Sequence, residues 1–79
     1  MKAAFNPRVV TLDNIDHSSD RHYPINHYLD PKTDKELGWS FWDAQLEMWK
    51  SIQKDGDTRH FQHLDNAARF ACSMEVIDE

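Results

Sequence analysis

The chain has 79 residues and a formal net charge of −5, with 39% apolar, 29% charged and 11% aromatic residues. This length indicates one small domain, and the apolar content is too high for a disordered chain. The acidic balance disfavours binding to a phosphate backbone, which needs clustered lysine and arginine. The single cysteine, Cys72, excludes an internal disulfide and a zinc site built from cysteines alone.

The N-terminal part, residues 1–38, is predicted to be an irregular arm or loop region. It holds all three prolines and three of the five histidines. Only residues 8–12, RVVTL, have the short β-branched run typical of a strand. A lone strand needs a partner, for which three candidates remain open: the segment KAAF before it, residues 23–29, or a second copy of the protein.

A first helix is predicted for residues 40–55. Ser40 suits the N-cap, Asp43 three residues later has the spacing of a capping box, and Gly56 follows as a helix terminator. On a helical wheel the apolar residues cover an arc about 200° wide, whereas a helix on a single core needs little more than about 100°.

A second helix is predicted for residues 57–77, in which Asp65 and Arg69 form an i,i+4 pair. The short KDGD link between the helices favours a helical hairpin. The expected fold is therefore mostly α: an arm with at most one or two short strands, packed on a C-terminal two-helix hairpin.

The surplus apolar surface of both helices indicates a binding surface. The arm, a second copy that completes a four-helix homodimer, or a different protein could each cover it. Tryptophan is enriched at the energetic centres of protein interfaces, and tyrosines of the arm supply further apolar anchors. The predicted partner-binding residues are Trp39, Trp42, Gln45, Leu46, Tyr23 and Tyr28.

The sequence also contains residue types found in metal sites and in catalytic triads. His60 and His63 lie one helical turn apart, and further ligands could come from the arm: His17, Asp20, His22, His27 and Asp30. No established metal motif accompanies them, so no metal site and no cofactor are predicted. Residues 16–20, DHSSD, contain the residue types of a catalytic triad, but contiguous residues favour a turn. Cys72 reads as a small core residue, and no enzymatic activity is expected.

A helix-turn-helix interpretation would present Arg59, Gln62, Asn66 and Arg69 to a DNA groove. The charge of −4 over residues 55–79 opposes it. A small dimeric regulator that contacts DNA or a toxin-like partner remains the alternative function, and a histidine-rich metal-binding protein is the second alternative.

The leading interpretation is a non-catalytic, acidic protein-interaction module, an inhibitor or adaptor that binds itself or a host protein. In kind, a short acidic chain with a Trp-rich terminal helix resembles accessory proteins of phages and mobile elements, which often block a host protein. The N-terminus lacks the apolar core of a signal peptide, and no apolar run is long enough to span a membrane, so a cytoplasmic location is expected.

Overall fold

The computed structural model describes residues 6–16 and 21–77, and in these residues the chain forms one antiparallel sheet and one short helix. The strand order β1-β2-β3-β4-β5 follows the chain, so each strand pairs with its neighbour in sequence. The elements are β1 Arg8–Asp16, β2 Arg21–Leu29, β3 Glu36–Asp43, β4 Met48–Gln53, β5 Thr58–Phe61 and α1 Leu64–Ala71.

The prediction of a mostly α fold with a helical hairpin is wrong. Residues 40–55 hold the second half of β3, a turn and β4, and residues 57–77 hold β5, α1 and a C-terminal segment. Tryptophan, phenylalanine and isoleucine favour a strand where cross-strand partners exist, and here β3 and β4 pair directly, with Trp42 opposite Trp49. Tertiary pairing therefore overrides the helical spacing.

The N-terminal part is not an irregular arm, because it forms β1, β2 and the start of β3. β1 includes residues 8–12 and pairs with β2 from Arg8↔Leu29 to Asp16↔Arg21, so its partner is the segment around residues 23–29. The segment KAAF lies outside the described residues. Pro24 is tolerated in β2 because pairing with β3 begins only at Ile25, and no ladder hydrogen bond to β3 is lost.

Asp43 and Gly56, which suit a capping box and a helix terminator in the sequence, lie at turns between strands. The carboxylate of Asp43 accepts hydrogen bonds from the backbone N–H groups of Gln45 (3.0 Å) and Leu46 (3.3 Å), which closes the β3–β4 turn. Glu47 ends this turn with φ of 52°. Gly56, at φ of 101°, lies in the β4–β5 turn, where glycine adopts a positive φ without steric cost.

Helix α1 packs on one face of the sheet through small residues. Ala67 and Ala71 are fully buried against β3 and β4, where Gly38, Ser40 and Ser51 leave room for the helix. The backbones of α1 and β3 approach so closely at Gly38 that an added Cβ would lie 2.2 Å from the carbonyl oxygen of Ala71. The small side chains on both layers thus set the distance between helix and sheet.

Polar side chains of β4 also fix α1 in place. The Ser51 hydroxyl donates to the carbonyl oxygen of Ala67 at 2.6 Å, and the Gln53 amide donates to that of Phe70 at 2.9 Å. The Phe70 ring lies 5.5 Å from that of Phe61. These contacts combine a small apolar core with satisfied buried polar groups.

Helix α1 has a defined C-terminal end. Ser73 adopts φ of 59°, and the backbone N–H groups of Ser73 and Met74 donate to the carbonyl oxygens of Phe70 and Arg69. These two bonds form a Schellman motif, with serine in the position usually held by glycine. No helix in the described part of the chain is long and apolar enough to cross a membrane.

Candidate interaction surface

The sheet has two different faces because successive side chains of a strand point to opposite sides. On the helix face, Gly38, Ser40 and Trp42 of β3 stand opposite Gln53, Ser51 and Trp49 of β4. The opposite side is here called the open face. No helix or further strand of residues 6–16 and 21–77 covers it.

The open face has an apolar centre on the three middle strands. Strand pairing places Ile25 opposite Phe41 and Trp39 opposite Ile52, so these side chains form one continuous patch. All of its members are partly exposed. The patch consists of Tyr23, Ile25, Trp39, Phe41, Met48 and Ile52.

Aromatic contacts hold this patch in shape. The ring of Tyr23 lies 5.7 Å from that of Phe41, in a tilted arrangement. The Nζ of Lys50 lies 5.8 Å from the centre of the Phe41 ring, within the range of a cation–π interaction. Phe41 is thus held from both sides while it remains partly exposed.

Ionisable pairs border the apolar patch. His27 Nδ1 lies 2.6 Å from a carboxylate oxygen of Glu36, near the β2–β3 end of the face. His60 Nε2 lies 3.6 Å from Asp43 Oδ2, beyond hydrogen-bond distance, and it is a buried nitrogen without a partner among the described residues. An aromatic centre with a polar border is the common anatomy of a protein–protein interface.

A recess of about 340 Å³ lies at one end of the sheet, where β2 begins and the β3–β4 turn follows Asp43. It is lined from both faces, by Tyr23 and Phe41 of the open face and by Pro24 and Trp42 of the helix face. The exposed Gln45 of the turn completes it. Such a recess can receive one large side chain of a partner.

The structure brings three of the predicted partner-binding residues together, because Tyr23, Trp42 and Gln45 all line this recess. Leu46 follows Gln45 in the same turn and is 56% exposed, and Trp42 is 41% exposed with its ring 5.2 Å from that of Trp49. Trp39 lies apart from them, at the centre of the open face.

Tyr28 does not belong to this surface. It is 3% exposed on the helix face, and its hydroxyl is hydrogen-bonded to that of Ser40 at 2.8 Å. Burial raises the pKa of the Tyr28 hydroxyl above its usual value; the hydrogen bond to Ser40 opposes this shift, and nearby Cys72 adds to it. Tyr28 is therefore a core residue on the side of the sheet that α1 covers.

Within residues 6–16 and 21–77, the candidate metal ligands are not assembled into a site. Among the described residues no group of three or more His, Cys, Asp or Glu side chains is placed to hold a metal ion. His60 lies in β5 and His63 precedes α1, so they do not share a helical face. His17 and Asp20 lie outside the described residues, as does most of the DHSSD stretch.

The predicted recognition helix for DNA does not form. Arg59 is part of β5, and Asn66 is buried with its side chain hydrogen-bonded to the backbone of Ile77. Arg69 does form the expected i,i+4 pair, with Nε 3.3 Å from Asp65 Oδ2. Burial raises the pKa of the Cys72 thiol to about 12, so this cysteine is held in its unreactive neutral form.

Sequence reasoning missed Phe41, Ile25, Met48 and Ile52 as surface residues. The stretch WSFW could have indicated this face, because in a strand Trp39 and Phe41 point to one side and Ser40 and Trp42 to the other. No protein family, curated protein or solved structure matches this chain.

Proposed function

We propose that this protein is a non-catalytic interaction module, an inhibitor or adaptor, that binds a different protein through its open face. The single observation that supports the proposal most strongly is the apolar patch of Tyr23, Ile25, Trp39, Phe41, Met48 and Ile52, which no described helix or further strand covers. Contiguous apolar patches on a small protein commonly mark interaction sites.

The chemistry of the face favours a particular kind of partner. The patch lies on one face of the sheet and half of its members are aromatic, so it suits an apolar protein surface better than a small molecule, which binds in concave sites. The chain carries a net charge of −5, so a partner with lysine and arginine around its apolar patch would be attracted before contact. The recess beside Tyr23 and Trp42 would take one projecting side chain of that partner.

Trp39→Thr is the variant that tests the proposal. Threonine suits a strand, so the substitution removes the ring from the centre of the patch while it respects the sheet. The matched control is Leu64→Ala, which removes a 41% exposed apolar side chain from α1, on the other side of the sheet. Circular dichroism and urea unfolding establish first that both variants fold.

Proteins from an extract of the source organism are captured on the wild type and on both variants, and a protein lost only with Trp39→Thr is purified. Calorimetric titration should then give affinity at least about 30-fold weaker for Trp39→Thr than for Leu64→Ala, the size expected at the centre of an interface. Equal affinities of the two variants for that protein would contradict a role of the open face.

A further inference from the structure

Strand β1 forms a long free edge of the sheet. It spans nine residues, RVVTLDNID, and pairs with β2 without interruption, while no strand of the described residues pairs with its other side. Sheet edges are usually protected by proline, a bulge, a short length or charged side chains, and of these features β1 has only charged residues: Arg8, Asp13 and Asp16. The opposite edge, β5, has only four residues.

We propose that β1 pairs antiparallel with β1 of a second copy of this chain, about a two-fold axis at Leu12. The two five-stranded sheets would then form one continuous sheet of ten strands. The backbone N–H and C=O groups on the free side of β1 would gain partners that no strand among residues 6–16 and 21–77 provides.

The sequence of β1 is complementary to itself in this register. A two-fold axis at Leu12 pairs all nine residues, placing Val9 opposite Ile15 and Arg8 opposite Asp16 of the second copy. This register sets a basic position opposite an acidic one at each end, and it sets two apolar pairs between them, Val9 with Ile15 and Leu12 with its own copy. Because the two-fold axis repeats every contact, the pairing of position 8 with position 16 occurs at each end of the two strands.

The neighbouring registers fit worse. Residues directly opposite one another must lie on the same face of the sheet, so the axis can move only in steps of one residue. An axis at Thr11 would place Val9 opposite Asp13, and an axis at Asp13 would place two carboxylates opposite each other. Like charges directly opposite destabilise a strand pair, so the axis at Leu12 is favoured.

The apolar side chains of β1 are more exposed than is usual, as expected if another strand lies beside β1. Val9, Leu12 and Ile15 are 51%, 53% and 48% exposed, although each is apolar. In the single chain Arg8 lies 3.5 Å from Asp34, but both side chains are mostly exposed, and such a surface pair contributes little. Arg8 is therefore available to the acidic end of the second copy.

The symmetry of this dimer also determines how its two open faces are oriented. Antiparallel strands of one sheet are related by an axis perpendicular to it, so both open faces would lie on the same side of the ten-stranded sheet. The inference uses a different surface from the proposed function and does not depend on it. The isolated protein is sufficient to test it.

A disulfide cross-link locates the two-fold axis. In the Cys72→Ala background, Leu12→Cys would place two cysteines directly opposite each other, within the Cα separation of a disulfide. Ile15→Cys is the matched control, similarly exposed, but its two copies would be separated by six residues, about 20 Å. Mild oxidation should give a covalent dimer from Leu12→Cys and a monomer from Ile15→Cys. Equal cross-linking of both variants, or none of Leu12→Cys, would overturn the inference.

Charge reversal tests the register independently. Arg8→Glu or Asp16→Lys alone would place like charges opposite each other at both ends, and should weaken dimerisation about tenfold in sedimentation equilibrium. The double variant restores opposite charges and should recover the wild-type dissociation constant, while Asp34→Asn should leave it unchanged. A monomeric wild type at millimolar concentration, or a double variant weaker than both single variants, would overturn the inference.

Discussion

Gly38 is the residue at which the separation of helix and sheet is set. An added Cβ would lie 2.2 Å from the carbonyl oxygen of Ala71 and 2.6 Å from that of Ile52, and both are backbone atoms that cannot turn away. We expect Gly38→Ala to lower the free energy of unfolding by about 1–3 kcal/mol, because α1 must move outward. Urea denaturation measures this loss.

Gly56→Ala is the control for Gly38→Ala. An added Cβ at Gly56 would meet nothing within 4 Å, so any loss in the free energy of unfolding comes only from the positive φ of 101°. A non-glycine residue in this region costs about 1–2 kcal/mol, and the sheet should keep its packing. If Gly38→Ala left the near-UV circular dichroism unchanged, as Gly56→Ala should, the close approach of α1 would be wrong.

Cys72 and Tyr28 make the fold sensitive to alkali. Burial raises the pKa of the Cys72 thiol to about 12, and it also raises the pKa of the Tyr28 hydroxyl. Above the pKa of a free thiol, about 8.5, the unfolded chain releases a proton that the folded chain keeps. The unfolded state is therefore favoured as the pH rises, and the free energy of unfolding should fall between pH 8 and pH 11.

Urea unfolding at intervals across this pH range measures that fall. Cys72→Ala removes the thiol and should reduce the alkaline loss, leaving the part due to Tyr28. A wild type whose free energy of unfolding is constant from pH 8 to pH 11 would show that neither group is buried in its neutral form.

At the scale of elements, Asn66 connects α1 to the C-terminal segment. Its side-chain amide donates to the carbonyl oxygen of Ile77 at 2.8 Å, and its carbonyl accepts from the Ile77 N–H at 3.0 Å. Asn66→Ala should lower the free energy of unfolding by about 1–3 kcal/mol, because it removes both hydrogen bonds that join α1 to Ile77. Hydrogen exchange of the Ile77 amide should become faster.

Asp65→Ala is the matched control for Asn66→Ala on the same helix. Its carboxylate is exposed and forms a surface ion pair with Arg69, so the loss should stay below about 1 kcal/mol. Exchange of the Ile77 amide as slow in Asn66→Ala as in Asp65→Ala would contradict the anchoring role.

The hairpin of β3 and β4 explains why the fold class was mispredicted. The spacing of the aromatic residues in this hairpin is compatible both with one helix and with two strands. Asp43 likewise fits a helical capping box, although in the structure it closes a turn. The apolar arc about 200° wide was the informative signal, because it exceeds what one helix needs. In strands the same residues divide between two faces, Trp39 on the open face and Trp42 on the helix face.

Other features could be predicted in part. The short β-branched run of residues 8–12 lies within β1, and the pair Asp65–Arg69 is present on α1. The burial of Tyr28 could not be predicted, because it depends on α1 crossing Gly38 and Ser40, which are distant in sequence. The enrichment of aromatic side chains at interfaces points to Tyr23 and Trp42 from the sequence, but only the fold shows that they line one recess.

At the scale of the whole molecule, the core lies on only one side of the sheet. Phe61 is 1% exposed beneath α1, whereas Phe41 is partly exposed on the open face. Phe61→Ala should cost about 3–5 kcal/mol, a large part of the stability of a small domain. Phe41→Ala should cost clearly less and leave cooperative thermal unfolding intact. Equal losses in the two variants would mean that the open face is part of the core.

The sequential strand order has a consequence for how the molecule forms. Each strand pairs with its neighbour in the chain, so contacts within the sheet span short sequence separations and hairpins can form in about 1–10 μs each. Helix α1 follows all five strands, yet it rests on β3 and β4. During synthesis, which proceeds at about 5–20 residues per second, the sheet is therefore available before the helix that covers it. The two faces become different only when residues 64–71 leave the ribosome and dock.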